Sequence, residues 1–338
     1  MQLSGLGQSA PMIGFVVKRF VNYFILTAIA TLLAYVLASL SLNPAQRYLG
    51  RNPQPSPEVI TSILDGLGVN PNVPVLERLW TWLSNLVTHG SLGITVDNQQ
   101  VTDVIFARAG VSLRLLIIGS VIGAVLGVVF GVWGAVKQYR ISDQLVSYAS
   151  FTVGATPTFV IGVVLMILAT SLNGLTGHQL INFSGEYTAG LQGNFLVMFG
   201  DRLNHLILPT ITLSLTAAAG YSRYQRSAML DVLSADYIRT ARSKGMSRNR
   251  ALVKHGVRIA LIPMSTYFAY SFALLLTGAT VVELVFSWHG MGEYLVRSVQ
   301  QNDINGVAGS VMFASILVLI AGTLSEIVYA ALDPRVRV

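Results

Sequence analysis

The sequence predicts an all-α integral membrane protein with six transmembrane helices. Three observations lead there. Of 338 residues, 53% are hydrophobic and only 11% are charged, less than half the roughly 25% of a soluble domain. The mean hydropathy is +0.61. The apolar residues also fall in blocks long enough to cross a bilayer core, which takes about 20 residues of helix. Hydrocarbon offers no water to the backbone, so each block must satisfy its own N–H and C=O groups as a helix. The short alternating segments of a membrane barrel are absent.

The six spans are Val21–Leu42, Val111–Val136, Leu145–Leu172, His205–Tyr224, Met264–Phe286 and Gly306–Leu332. Lys18 and Arg19 precede the first block as they would in a signal peptide. The block is too long for a signal core, however, and is read as a retained helix. Basic residues orient the whole. With the N-terminus in the cytoplasm, 15 of the 22 Lys and Arg residues lie inside: Lys18, Arg19, Lys137, Arg140, nine from Arg223 to Arg258, Arg335 and Arg337. Outside stand Arg47, Arg51, Arg78, Arg108, Arg114, Arg202 and Arg297. Both termini are therefore predicted to be cytoplasmic. The expected organisation is a cytoplasmic segment (1–20), a first span (21–42), an extracytoplasmic subdomain (43–110), a transmembrane core (111–332) containing a cytoplasmic loop (225–263), and a tail (333–338).

Residues 43–110 open on Pro44, Pro53, Pro55 and Pro57, then carry two helix-like stretches, Pro57–Leu67 and Val75–Val87. Trp80, Trp82, Leu83 and Leu86 are placed either in a small packed face or at the membrane interface. The second span bears Gly119, Gly123, Gly127 and Gly131 at four-residue spacing. Such a face admits a neighbouring backbone closely, within one bundle, along a translocation path or at a subunit interface. Pro157 and Pro209 are expected to kink the third and fourth spans. Glu283 lies near the outer end of its span, where it either faces water or serves gating or the path. Glu326, about two turns before the end of the last span, is expected to play a structural role, either reached by water or paired with a basic neighbour.

Several chemistries are excluded. The chain has no cysteine, hence no disulfide, thiolate site or cysteine nucleophile. His89, His178, His205, His255 and His289 show no metal-ligand spacing. No Gly-x-x-x-x-Gly-Lys-[Ser/Thr] loop is present, so the chain lacks the usual phosphate cradle for ATP. No acid–base or nucleophile constellation suggests an enzyme, and the basic residues follow topology and not nucleic-acid binding.

The loop after the fourth span is the most specific feature. It reads Asp236-Tyr-Ile-Arg-Thr-Ala-Arg-Ser-Lys-Gly245 and continues to Leu261-Ile-Pro263. Ser234 or Asp236 is expected to cap a helix of about two turns, and Gly245 to end it in a left-handed conformation. Arg250, Lys254 and Arg258 then recur every four residues, predicting a helix along the membrane surface.

This loop resembles the EAA loop of ATP-binding-cassette (ABC) importer permeases, and most closely the peptide/nickel permease family. Asp236, Tyr237, Ile238, Arg239, Thr240, Ala241, Arg242, Lys244 and Gly245 match that pattern, while Ser243 stands where the family has alanine. Arg223 to Leu233, Glu283 to Gly292 and Asp333-Pro334-Arg335 are also similar to it. His289 replaces a usual proline, and Asn43-Pro-Ala-Gln46 replaces a usual Pro-Gly-Asp-Pro. The resemblance covers the chain from about Lys18, and the long first outside loop resembles the first of two permeases in such systems. It implies a type I importer fold in a bacterial or archaeal cytoplasmic membrane. It also implies half of a translocation path for di- or oligopeptides. The implied partners are a second homologous permease, two ATPase domains holding ATP and Mg, and an extracytoplasmic solute-binding protein. This chain itself would bind no cofactor. Asp236 to Gly245 would be the coupling helix, with Ala241 and Gly245 at small positions that permit close approach. The competing reading of the residues is an ion-driven secondary transporter or a channel acting alone. Inverted repeats and broken, charged helices would mark it, and no internal repeat is found.

Overall fold

The computed structural model describes residues 9–50 and 52–332, with side chains from Val17 onward. Residues 1–8, Arg51 and the tail with Asp333-Pro334-Arg335 and Arg337 lie outside the described residues. Among the described residues there are thirteen α-helices and one isolated bridge, Ile94 to Gln100. Six stretches are long and apolar enough to cross a membrane: Val17–Leu49, Val101–Val136, Thr158–Thr176, Phe195–Leu233, Arg248–Val285 and Ile304–Leu332.

The third span differs from expectation. It is two helices, α6 (Ile141–Ala155) and α7 (Thr158–Thr176), and only the second is a spanning candidate. Thr156 is extended and Pro157 stands at the N-cap of α7. A residue before proline is driven out of the helical region, and a proline without an N–H suits a helix start better than a helix interior. Pro157 therefore separates two helices and does not kink one. Pro209 behaves otherwise: α8 (Phe195–Leu233) runs through it uninterrupted.

The chain divides into two compact units. One comprises Val21–Leu113 and Trp288–Leu319. It includes most of α1 (Ser9–Ser41), then α2 (Gln46–Leu49), α3 (Pro57–Gly66) and α4 (Val75–His89). The start of α5 (Val101–Val136), α12 (Met291–Gln300) and the first half of α13 (Ile304–Leu332) complete it. Its core gathers Tyr35, Leu64, Trp82, Leu92, Val101 and Ile304. Trp82 packs on Tyr35 with ring centroids 5.1 Å apart, and its indole N–H donates to the Leu92 carbonyl at 3.0 Å. Leu83 and Leu86 pack against this core, but Trp80 is 72% exposed. Helical geometry accounts for the split, since residues 82 and 86 share a face whereas 80 lies two positions away from it. Buried Arg78 is satisfied by the Val69 and Val73 carbonyls, at 3.3 and 3.1 Å. Arg108 pairs with Glu293, and Arg47 with Asp97.

The other unit comprises Met1–Phe20, Arg114–Ser287 and Ile320–Val338. Its organising contact runs between α5 and α8. Gly119, Gly123, Gly127 and Gly131 meet Leu213, Ala217, Tyr221 and Gln225 in turn. A Cβ placed on each glycine would lie 2.8, 2.6, 2.3 and 2.7 Å from them. Both series rise by four, so the two helices run parallel and in register. The Ser214 hydroxyl donates across the seam to the Gly119 carbonyl at 3.2 Å. Elsewhere, Arg19 meets Glu326 at 3.5 Å, so that of the two alternatives for that carboxylate it takes the pairing with a basic neighbour. Glu283, on α11 (Arg258–Val285), is 1% exposed and engaged within the fold, so it does not face water.

The seam sets a stability expectation. Gly127→Leu places side-chain atoms where the Tyr221 Cβ stands, and such overpacking costs about 1–3 kcal/mol. A thermal melt in detergent should show the loss. Gly174→Ala, where a Cβ meets nothing within 4 Å, should leave the melting temperature unchanged or slightly raised.

Candidate functional site

The loop between α8 and α11 folds into a short helix held at both ends. This helix, α9 (Asp236–Ser243), has N-cap Ala235, and no side chain caps it. Ser234 instead donates its hydroxyl to the Asp231 carbonyl at the end of α8. Asp236 is the first helical residue, where its charge complements the positive end of the helix. The C-terminus closes as a Schellman motif: the Gly245 N–H donates to the Arg242 carbonyl at 3.0 Å and the Met246 N–H to that of Ala241 at 3.2 Å. Gly245 holds φ +87°, a conformation costly to any residue with a Cβ.

One side chain anchors α9. Ile238 is 4% exposed and packs with Ala135, Met229, Val232, Leu252 and Ala260. The polar face stays open, with the Asp236 and Arg239 side chains 96% and 74% exposed. Their 3.8 Å ion pair contributes little at such exposure. Nothing lies within 4 Å of a Cβ at Gly245. The helix is thus a rigid, exposed knob seated on a small apolar cluster.

The following segment departs from expectation. α10 (Arg248–Ala251) leads into a π-helical turn, Leu252–Val257, which continues directly into α11. Arg250, Lys254 and Arg258 are exposed, but they sit on the extension of a spanning helix and not on a separate surface helix. The wide turn brings Gly256 to Val232 and Met229, where a Cβ would lie 3.2 and 3.3 Å from them.

An ion pair ties the base of α8 to α6. Arg226 donates twice to Asp143, both bonds at 2.7 Å. The Tyr139 N–H adds a third bond at 3.0 Å, which fixes the turn after α5. Asp143 is 2% exposed. The Arg226 guanidinium, opposed by burial, holds its carboxyl below the usual carboxylate range. Neither residue was marked by the motif; only a charged residue near each end of an apolar block hinted at them.

A cavity of about 510 Å³ opens beside α8, lined by Pro157, Tyr221, Arg223, Tyr267, Ser271 and Gly278 among others. The Tyr224 and Tyr267 rings stack at 4.3 Å beside it. Among the described residues no group of three acidic or histidine side chains is placed to hold a metal ion. Of the residues singled out from sequence, α9 carries Asp236, Tyr237, Arg239, Thr240, Ala241 and Arg242, with Lys244 and Gly245 at its end. The four glycines lie on the α8 seam and Pro157 on the cavity wall. Glu283 is buried near the C-terminal end of α11.

A helical scaffold with six membrane-crossing stretches and an exposed, rigidly closed loop helix is that of a multi-pass membrane protein. Comparison with known proteins specifies which. Residues 123–338 match the family described as "Binding-protein-dependent transport system inner membrane component", and the chain belongs to it. The chain is 49% identical to the oligopeptide transport system permease protein OppB of Mycobacterium tuberculosis, over 97% of this chain and all of that protein. It is 34% identical to the oligopeptide transport system permease protein AppB of Bacillus subtilis, over 79% and 82% of the two chains. It is 31% identical to the glutathione transport system permease protein GsiC of Escherichia coli, over 96% and 99%. The family is a component of binding-protein-dependent systems, so a carrier or channel acting alone is set aside.

The ion pair predicts an acid-sensitive anchor. A carboxyl whose folded pKa is lowered stabilises the fold above its unfolded value of about 4 and loses that contribution as pH falls through the folded value. Asp143→Asn should cost about 2 kcal/mol at pH 7, below the figure for a fully buried pair because the Arg226 side chain stays 28% exposed. Melts from pH 7 down to pH 3 should show the difference from the unaltered protein shrinking below about pH 4.

Proposed function

We propose that this chain is one permease half of an importer for di- or oligopeptides, driven by partner ATPases through α9. The relatives named for oligopeptides and for glutathione, itself a short peptide, support the cargo. The partners on this reading are a second homologous permease, two ATPase domains that hold ATP and Mg, and an extracytoplasmic binding protein. Both termini lie in the cytoplasm of a bacterial or archaeal cell, as the basic-residue distribution favours. Residues 43–110 form the extracytoplasmic subdomain, and 225–263 the cytoplasmic coupling loop.

The observation that carries the reading is the form of α9. It is short, exposed on its polar face, closed by Gly245 and anchored by Ile238 to the base of α8 and the π turn. A rigid knob can transmit a push, whereas a flexible loop would absorb it. When an ATPase groove grips Asp236 to Gly245, movement of the groove becomes rigid-body movement of the helices on either side. Asp236, Tyr237, Arg239, Thr240, Arg242 and Lys244 supply the polar contacts, and Ala241 and Gly245 the close approach.

The test is at Gly245. Valine there meets a left-handed conformation costing about 1–2 kcal/mol and should unwind the Schellman turn. In the reconstituted complete transporter, Gly245→Val is expected to lower binding-protein-stimulated ATPase activity about tenfold. Gly245→Asn tolerates the conformation and should keep most of the activity. Full stimulation with valine would disprove coupling through this helix.

A further inference from the structure

Among the described residues, the only charged side chain lining the α8 cavity is Arg223. Its Nε donates to the Ala219 carbonyl at 3.2 Å, and its guanidinium lies 5.3 Å over the Phe151 ring. Among the described residues no carboxylate lies within ion-pair distance of it, and its two terminal nitrogens donate to no acceptor. Gly154 provides the seat: a Cβ there would stand 2.9 Å from Nη2. The seat is one residue from the C-terminus of α6, whose dipole favours a cation. The structure therefore holds a guanidinium in place by one backbone bond and a ring face. Its paired outer N–H groups, the ones that fit a carboxylate, are left available.

The rest of the wall narrows the ligand. It is apolar or carries neutral hydroxyls, from Thr216, Tyr267 and Thr277 among others. The buried Tyr221 and Ser271 hydroxyls make no hydrogen bond among the described residues. Among the described residues no acidic group lines the cavity, so a cationic end would find no counter-charge there. From Leu213 to Arg223 the cavity follows α8 for ten residue steps, about 15 Å, the length of about four residues of extended chain.

We infer that Arg223 is a carboxylate subsite of the translocation path, which receives the C-terminal carboxylate of a peptide while the tyrosine and hydroxyl wall beside it takes the chain. The inference rests on the peptide-import reading above. A single fixed cation, with no opposing anion, orients a passing peptide carboxylate-first without needing a side-chain-specific pocket, so peptides of differing sequence can share it.

The experiment uses the complete transporter in ATP-loaded proteoliposomes. The cargoes are trialanine and its C-terminal amide, each added at a concentration that titration shows to saturate the binding protein. Maximal uptake rates are then compared. The unaltered transporter should favour the free acid about tenfold, the ratio one charge-assisted hydrogen bond provides. Arg223→Gln should slow the acid alone, bringing the two rates within about twofold. Arg223→Lys should keep the acid ahead by a smaller ratio. Gly154→Ala, which crowds the seat without removing the charge, should also reduce the ratio. Equal slowing of acid and amide by Arg223→Gln would show a purely structural arginine and overturn the subsite, as would an unchanged preference. Failure of the unaltered transporter to move either peptide, with its ATPase still stimulated by the binding protein, would instead remove the peptide reading and the subsite with it.

Discussion

The close approach of α5 and α8 is the constraint from which the transmembrane unit follows. Lipid tails are as apolar as leucine, so no hydrophobic gain draws two helices together inside a bilayer. What remains is dispersion between backbones that fit, helped by an occasional hydrogen bond. Four glycines at four-residue intervals bring α5 within contact of the α8 side chains and carbonyls, and Ser214 bonds across the seam. Because the matched positions all differ by the same offset, the seam fixes the axial register of α8 as well as its position.

Register matters because α8 carries the consequential groups. Arg223 reaches the end of α6 from this helix, and Arg226 binds Asp143 one turn further on. Met229 and Val232 form the seat of Ile238, and so of α9. Gln225, opposite Gly131, is fully buried between them. A sliding of α8 would therefore move the cavity wall, the ion pair and the exposed loop helix together. Tight packing of this kind resists continuous deformation and favours movement between discrete arrangements, which suits a lever between an energy source and a path.

Much of the architecture was readable along the chain. Hydropathy placed five of the spans near their observed cores, and composition alone required helices. The left-handed glycine at 245 and the short helix before it were readable from local chemistry, because a Schellman closure depends on neighbouring residues only. Reading failed where two local rules competed. The lost donor of Pro157 predicts a kink, yet its effect on Thr156 splits the span in two. Ser234 and Asp236 were both eligible caps, and neither caps α9, because Ser234 closes α8 instead. The cationic repeat from Arg250 to Arg258 looked like a surface helix, but the π turn merges it with α11.

By itself the sequence determined solvent, helix content, the glycine face and the closed loop helix, all of which depend on residues within a few turns of one another. Pairings between distant residues were decided only by the tertiary structure. Asp143 meets Arg226 across 83 positions, and Ile238 finds Ala135 on another helix. Burial was likewise a tertiary outcome. Glu283 sits at the end of an apolar block whether it faces water or the interior, and only the packing of neighbouring helices puts it inside. Arg223 reads as one more positive-inside charge until α6 ends at its side and Gly154 opens a seat for it. A charge acquires a role from what surrounds it in space, and that surrounding is assembled from four helices no local pattern brings together.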